Sequence, residues 1–292
     1  MADTAAPFAS LEEVRQAITA IDAELVALLN RRASMSLAAG ELKRVQGQIE
    51  IFHPGREADL MKQLEAMSCG PLPKEHLRAV YREILSSSRC LQRPQRLAFP
   101  GPEGSFLHIA GLELLGSLVE FQPKHSLADV FAAISDGTCD IGIVSLESLL
   151  QGGAGQGFDL FLRHPELHIR AETGCCIRHR LSSIEDSSGS RTRFVLIGRT
   201  PADRPRADKS SILFALSDKA SRLSAMLRIF ASHAISLRNL ESRPMPEEPD
   251  NFMFFADIEC DIYAEKYAAV LDAAREQCLF LRVLGSYPSN TG

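Results

Sequence analysis

Residues Ser10 to Arg44 read SLEEVRQAITAIDAELVALLNRRASMSLAAGELKR, with no proline and a single glycine. A stretch this long with no breaker predicts one continuous helix. Ser10 with Glu13 forms a capping box at its start. Val14, Ile18, Ile21, Leu25 and Leu28 recur at spacings of four and three, an apolar seam along one face. At 1.5 Å per residue the helix spans roughly 50 Å, more than a small three-helix monomer can cover. The seam therefore predicts pairing with a second copy, as an intertwined dimer.

The charges on this helix fit that expectation. Arg15 and Arg32 stand roughly 25 Å apart along the axis and cannot grip one small molecule from the same chain. In an antiparallel dimer, Arg15 of one copy meets Arg32 of the other. Lys43 lies close to three turns beyond Arg32 and shares its face. Arg31 reads as a surface neighbour.

Two shorter helices follow, from near Gly55 to Met67 and from Lys74 to Gln92, separated by the breaker CGPLP. Ser88 and Gln92 are one turn apart on the third. From about Arg96 to Gly198 the pattern turns α/β. Strands RLAFPG, CDIGIVS, LHIRAETGCCIR and RFVLIG accompany the helix SLADVFAAISDG, stopped at Gly137. From Asp208 the order is strand, helix, strand, strand, helix, strand, a ferredoxin-like βαββαβ unit. The expected organisation is three domains, at 1–93, 94–200 and 205–292.

The net charge of −5 argues against a general nucleic-acid binder. No apolar run approaches a membrane span, and MADTAAPFAS lacks the features of a signal peptide. Seven scattered cysteines without a C-x-x-C pair favour a reducing cytoplasm. Histidine spacing offers no metal site, and no cofactor is expected. QGGAGQG (Gln151 to Gly157) lacks both G-x-G-x-x-G and the G-K-S/T ending, and reads as a loop.

The first segment resembles the all-helical chorismate mutase domain at the head of bifunctional chorismate mutase–prephenate dehydratases. The family pattern is an arginine early in helix one, an RR two-thirds along, a lysine eleven residues later, an RE opening helix two and S-x-x-x-Q in helix three. Arg15, Arg32, Lys43, Arg56 with Glu57, and Ser88 with Gln92 meet it. His53 stands where the family carries an aspartate that acts partly through its backbone. Any one of these side chains alone would read as a solvated helix face; the set at these spacings carries the meaning. The resemblance implies rearrangement of chorismate to prephenate, in phenylalanine and tyrosine synthesis. That reaction is pericyclic, so the protein must hold the compact conformer and stabilise charge developing on the ether oxygen. Arg32 and the partner's Arg15 would clamp the carboxylates. Lys43 and Gln92 would donate to the ether oxygen. Glu57, supported by Arg56, would take the ring hydroxyl, and Ser88 would seat a carboxylate.

GPEGSF, SLADVFAAISDGTCDIGIVSLES and RTRF resemble prephenate dehydratase, a two-lobed domain whose chain leaves lobe one, builds lobe two and returns on a TRF strand. Here SSIEDSSGS alone separates IRHRL from that strand, room for a loop and not a lobe. Ser105 stands in the family's GTF motif, Glu147 remains from P-x-E-N-S, and Thr192 opens TRF. With half a cleft, the dehydratase activity is expected to be lost, and the remainder would be a spacer. The tail resembles the ACT amino-acid-sensing domain. ESRP (Glu241, Ser242, Arg243, Pro244) matches its phenylalanine signature, while the companion GAL is Ser221, Arg222 and Leu223. The resemblance implies a phenylalanine effector and a homodimer. Two other readings stay open here: a working bifunctional enzyme, and a non-catalytic amino-acid-sensing partner of a full-length relative.

Overall fold

A computed structural model describes residues 10–47, 51–146, 149, 156–174, 193–202, 207–217, 220–245, 248 and 251–288. Helix α1 (Leu11–Val45) is unbroken over 35 residues. Ser10 caps it, its side chain accepting from the Glu13 N–H, with Glu12 and Glu13 in the first turn and Lys43 and Arg44 in the last. None of its residues is buried. Ile18, Ile21, Leu25 and Leu28 of the seam are exposed by 52, 56, 50 and 55%. Helix α2 (Pro54–Met67) starts on Pro54, where a missing N–H costs nothing. Helix α3 runs Lys74–Gln92.

Residues 96–198 build one five-stranded sheet from β1 (Arg96–Pro100), β2 (Glu120–Lys124), β3 (Ile141–Ser145), β4 (His168–Gly174) and β5 (Arg193–Gly198), in the order β2-β1-β3-β5-β4. β1 is parallel to β2 and β3, and β5 is antiparallel to β3 and β4. Helices α4 (Phe106–Leu115), α5 (Leu127–Ser135) and α6 (Gln156–Arg163) accompany it. α5 is capped by Ser126, which accepts from the Asp129 N–H. β2 carries Pro123 and lies at the sheet edge, where a residue without an N–H is tolerated.

The C-terminal sheet comprises β6 (Lys209–Ser217), β7 (Leu237–Pro244), β8 (Asn251–Ile258) and β9 (Phe280–Tyr287), ordered β7-β8-β6-β9 with every neighbouring pair antiparallel. With α7 (Ala220–Ser232) and α8 (Ala268–Gln277), preceded by a 3₁₀ turn at Glu265–Tyr267, it forms the expected βαββαβ unit. Strand alternation divides this sheet's side chains between two cores. Ile212, Phe214, Phe254 and Ala256 pack with Met226 and Val270 of the helices. Leu213, Met253, Phe255 and Leu284 join Phe131 and Ile197 of the five-stranded sheet and its helix in a second core.

The described residues fall into two compact units: Met1–Ile51 with Ser87–Pro94, and Phe52–Ser86 with Gln95–Gly292. No helix among them is long and apolar enough to cross a membrane. No group of three or more His, Cys, Asp or Glu among them could hold a metal ion.

Candidate active site

In the first unit, α1 and α3 bring together residues far apart in sequence. Arg32 donates from Nη1 to Ser88 Oγ. One turn on, Gln92 donates from Nε2 to the Ser88 carbonyl at 3.1 Å, and its Oε1 is buried without a hydrogen-bond partner. Ser88 is buried, and Arg32, Lys43 and Gln92 are half-buried. Gly40 permits the approach of the two helices: a Cβ there would sit 3.0 Å from Gln92 Cα and 3.2 Å from its Cβ. Gly40 was missed as a site residue; its signal was its place as the single glycine of a long helix that would otherwise prefer alanine. Arg15 is far from this group on its own chain and exposed, with Glu12 at 4.0 Å.

In the second unit, His53, Arg56 and Glu57 occupy the start of α2. His53 is its N-cap residue, and the Glu57 N–H bonds to the His53 carbonyl at 3.1 Å. Arg56 is exposed and Glu57 half-buried. Ser105 is the N-cap of α4, but its Oγ makes no cap bond and is buried without a partner. Nearby, His108 accepts the Gly104 N–H at Nδ1 and stacks on Phe99 at 5.2 Å. Glu147 and Thr192 lie outside the described residues, as do Cys175, Cys176, most of the QGGAGQG loop and the SSIEDSSGS stretch.

A third group lies where β4 and β5 meet the C-terminal sheet. Arg193 of the TRF motif bonds Glu172 at 3.3 Å and Asp257 at 3.1 Å. Lys209 bonds Glu172 and stands 3.1 Å from Asp257. Asp257 also accepts from Ser211 at 2.6 Å and from Asn239 at 2.8 Å. Burial alone would raise the Asp257 pKa, but Lys209, Ser211, Asn239 and Arg193 together hold it below the ordinary carboxylate range. Burial beside these carboxylates pushes the Tyr287 phenol well above its usual value. Sequence spacing gave no sign of this cluster, since its members come from five strands.

On β7, Glu241, Ser242 and Pro244 of ESRP are exposed. Arg243 is half-buried; burial lowers its pKa and Asp159 opposes that shift. Leu223 is half-buried against the helix-side core. Arg222, in the place of the signature alanine, donates to the Gln277 carbonyl at 3.3 Å, at the last residue of α8. A cation there satisfies an end-of-helix carbonyl and the negative end of the helix dipole.

Comparison with known proteins gives two family matches: chorismate mutase type II over residues 14–93, and prephenate dehydratase over residues 97–187. The bifunctional chorismate mutase/prephenate dehydratase of Aquifex aeolicus is 26% identical, with 95% of this chain and 98% of that protein covered. That alignment spans 354 residues, more than the 292 of this chain, so the relative carries segments that have no counterpart here. Two solved structures share the fold. The quorum-quenching acylase GqqA matches with a TM-score of 0.56 at 23% identity, over 67% of this chain and 95% of its own. The prephenate dehydratase of Arthrobacter aurescens, solved with L-Phe, matches with a TM-score of 0.53 at 19% identity, over 66% and 90%.

Proposed function

Because this chain belongs to the family of bifunctional chorismate mutase/prephenate dehydratases, we propose that it is a working chorismate mutase whose dehydratase activity has been lost. The observation that carries the mutase half is the meeting of Arg32, Ser88 and Gln92 from α1 and α3. Chorismate offers two carboxylates and an ether oxygen. Arg32 would hold one carboxylate with Ser88 beside it, and Arg15 of a second copy would hold the other. Lys43 and Gln92 would donate to the ether oxygen as its bond to the ring lengthens. These contacts strengthen in the transition state and so lower the barrier. Glu57, with Arg56, would bind the ring hydroxyl. The rearrangement needs neither a nucleophile nor proton transfer, so ordered donors around a folded substrate suffice.

The exposed seam of α1 supports the homodimer that this reading requires. An apolar seam at least half exposed over four positions is costly in water, and a second α1 would cover it while bringing Arg15 into reach. For the dehydratase half, a single five-stranded sheet among the described residues and the relative's extra segments both favour a missing lobe. Dehydration with decarboxylation needs an acid enclosed beside the leaving hydroxyl. L-Phenylalanine is the proposed effector of the βαββαβ domain through Glu241, Ser242, Arg243, Pro244 and Leu223; its addition should raise the melting temperature.

The deciding experiment follows chorismate loss spectroscopically with the full chain. Arg32→Ala and Lys43→Ala should each slow turnover by about 10²-fold or more, since each removes a charge-assisted contact made in the transition state. Turnover equal to wild type in either variant overturns the mutase site. Phenylpyruvate formed enzymatically from prephenate at neutral pH overturns the loss of dehydratase activity.

A further inference from the structure

Ser36 lies one turn after Arg32 and one turn before Gly40 on α1, so it shares their stripe of the helix. Arg32 reaches Ser88 on α3. Gly40 lies against Gln92, where a Cβ would come within 3.0 Å of Gln92 Cα and 3.2 Å of its Cγ. Ser36 stands between those two contacts and is half-buried opposite the turn that carries Ser88 and Gln92. All five residues belong to the first compact unit. The Ser36 hydroxyl donates to the Arg32 carbonyl at 3.2 Å. Hydroxyl donors favour roughly 2.7–2.8 Å, so this bond is weak. Thr19 and Ser34 make the same bond to the carbonyls of Arg15 and Asn30, at 3.0 and 3.1 Å, on exposed parts of the helix. There it is the ordinary resting place of a helical hydroxyl. Of the three, Ser36 alone rests on the face that meets α3.

The amide of Gln92 is half satisfied. Its Nε2 donates to the Ser88 carbonyl at 3.1 Å, which settles which end of the amide is which, because a carbonyl only accepts. Its Oε1 is buried with no hydrogen-bond partner. An acceptor taken out of water without a donor is costly. Nε2 meanwhile carries a second N–H beyond the one given to Ser88. Helix propensity does not explain the hydroxyl opposite: Ala33, Ala38 and Ala39 surround Ser36, and alanine is the better helix former.

Resting on the mutase reading above, we propose that Ser36 is a positioning residue for that reaction: with substrate bound, its hydroxyl leaves the Arg32 carbonyl and donates to Gln92 Oε1. The Arg32 carbonyl keeps its helical bond from the Ser36 N–H. The Gln92 amide is then held at both ends, by Ser36 on its oxygen and by the Ser88 carbonyl on one N–H. Its remaining N–H is aimed at the ether oxygen and strengthens as charge develops there.

The test measures kcat and KM for chorismate in full-length Ser36→Ala and Ser36→Cys, each alone and combined with Gln92→Ala. Loss of one neutral hydrogen bond that acts on the transition state should lower kcat by about five-fold, with KM within about two-fold of wild type. Ser36→Cys fills the same space with a weak donor and should match Ser36→Ala. Both losses should vanish in the Gln92→Ala background, because Ser36 acts through Gln92. Ser36→Ala should also melt no lower than wild type, since alanine favours the helix. A wild-type kcat in Ser36→Ala, or an equal loss with and without Gln92, overturns the proposal and leaves Ser36 a helix-face residue. A raised KM at unchanged kcat overturns it too, because the hydroxyl would then bind substrate and transition state alike. If Ser36→Ala melts below wild type, Ser36→Cys is judged by the same criteria. A wild-type protein that leaves chorismate untouched overturns the mutase reading, and this inference falls with it; turnover that is indifferent to Ser36 overturns this inference alone.

Discussion

At the scale of the residue, the first unit and the polar cluster both place charged groups away from full exposure. Arg32 is half-buried and donates to the neutral hydroxyl of Ser88. Asp257 is fully buried and already shared between Lys209 and Arg193. Its pKa is depressed in the folded state, so its ionised form stabilises the fold above the ordinary carboxylate range. That contribution is lost as pH falls below about 4 and through the folded-state value. We expect Asp257→Asn to destabilise the protein at neutral pH by about 3 kcal/mol, since two cations lose their shared partner. The variant should also show a shallower fall of stability on the acid limb. Urea unfolding between pH 3 and 7 measures both; an unchanged acid limb would refute the assignment. Arg32, Ser88 and Gln92, which the two helices bring together, could be singled out in the sequence because they match a family pattern carried on long, well-signalled helices. The buried bond from Arg170 Nη2 to the Phe52 carbonyl could not, because it joins residues 118 positions apart.

At the scale of the element, α1, α2 and α3 were legible to within a residue or two, through the Ser10 cap, the CGPLP break and helical periodicity. The four strands and two helices of the tail were equally readable from their alternation and order. The strand β2 and helix α4 were not. β2 holds a proline in a five-residue run, and α4 is nearly all apolar, so neither shows a clean period. Gly40 belongs to this scale as well. Alanine would raise the intrinsic helix propensity of α1 by about 1 kcal/mol. A larger side chain would instead meet the α3 backbone at Gln92. Gly40→Val should therefore cost about 1–3 kcal/mol of stability, as overpacking does, and lower mutase activity by displacing Gln92. Thermal unfolding and chorismate turnover of the same sample test it; a variant as stable and as active as wild type contradicts the close packing of the two helices.

At the scale of the whole molecule, the decisive feature is a long helix whose apolar seam is exposed on its own chain. Under the intertwined reading, each site takes Arg32 from one chain and Arg15 from the other. Arg15→Ala and Arg32→Ala homodimers should both be nearly inactive. In a mixed dimer of the two variants, one site joins the intact Arg32 of the first chain to the intact Arg15 of the second, and the other site has lost both. Unfolding the two variants together and refolding them gives mixed dimers as about half of the population, each with one working site, so about a quarter of wild-type activity should return. Were both arginines of a site supplied by a single chain, mixing would pair one damaged site with another and nothing would be regained. The same experiment done at increasing dilution adds a second criterion. Activity that depends on paired subunits falls as the dimer dissociates, whereas a site complete within one chain keeps its specific activity at every concentration.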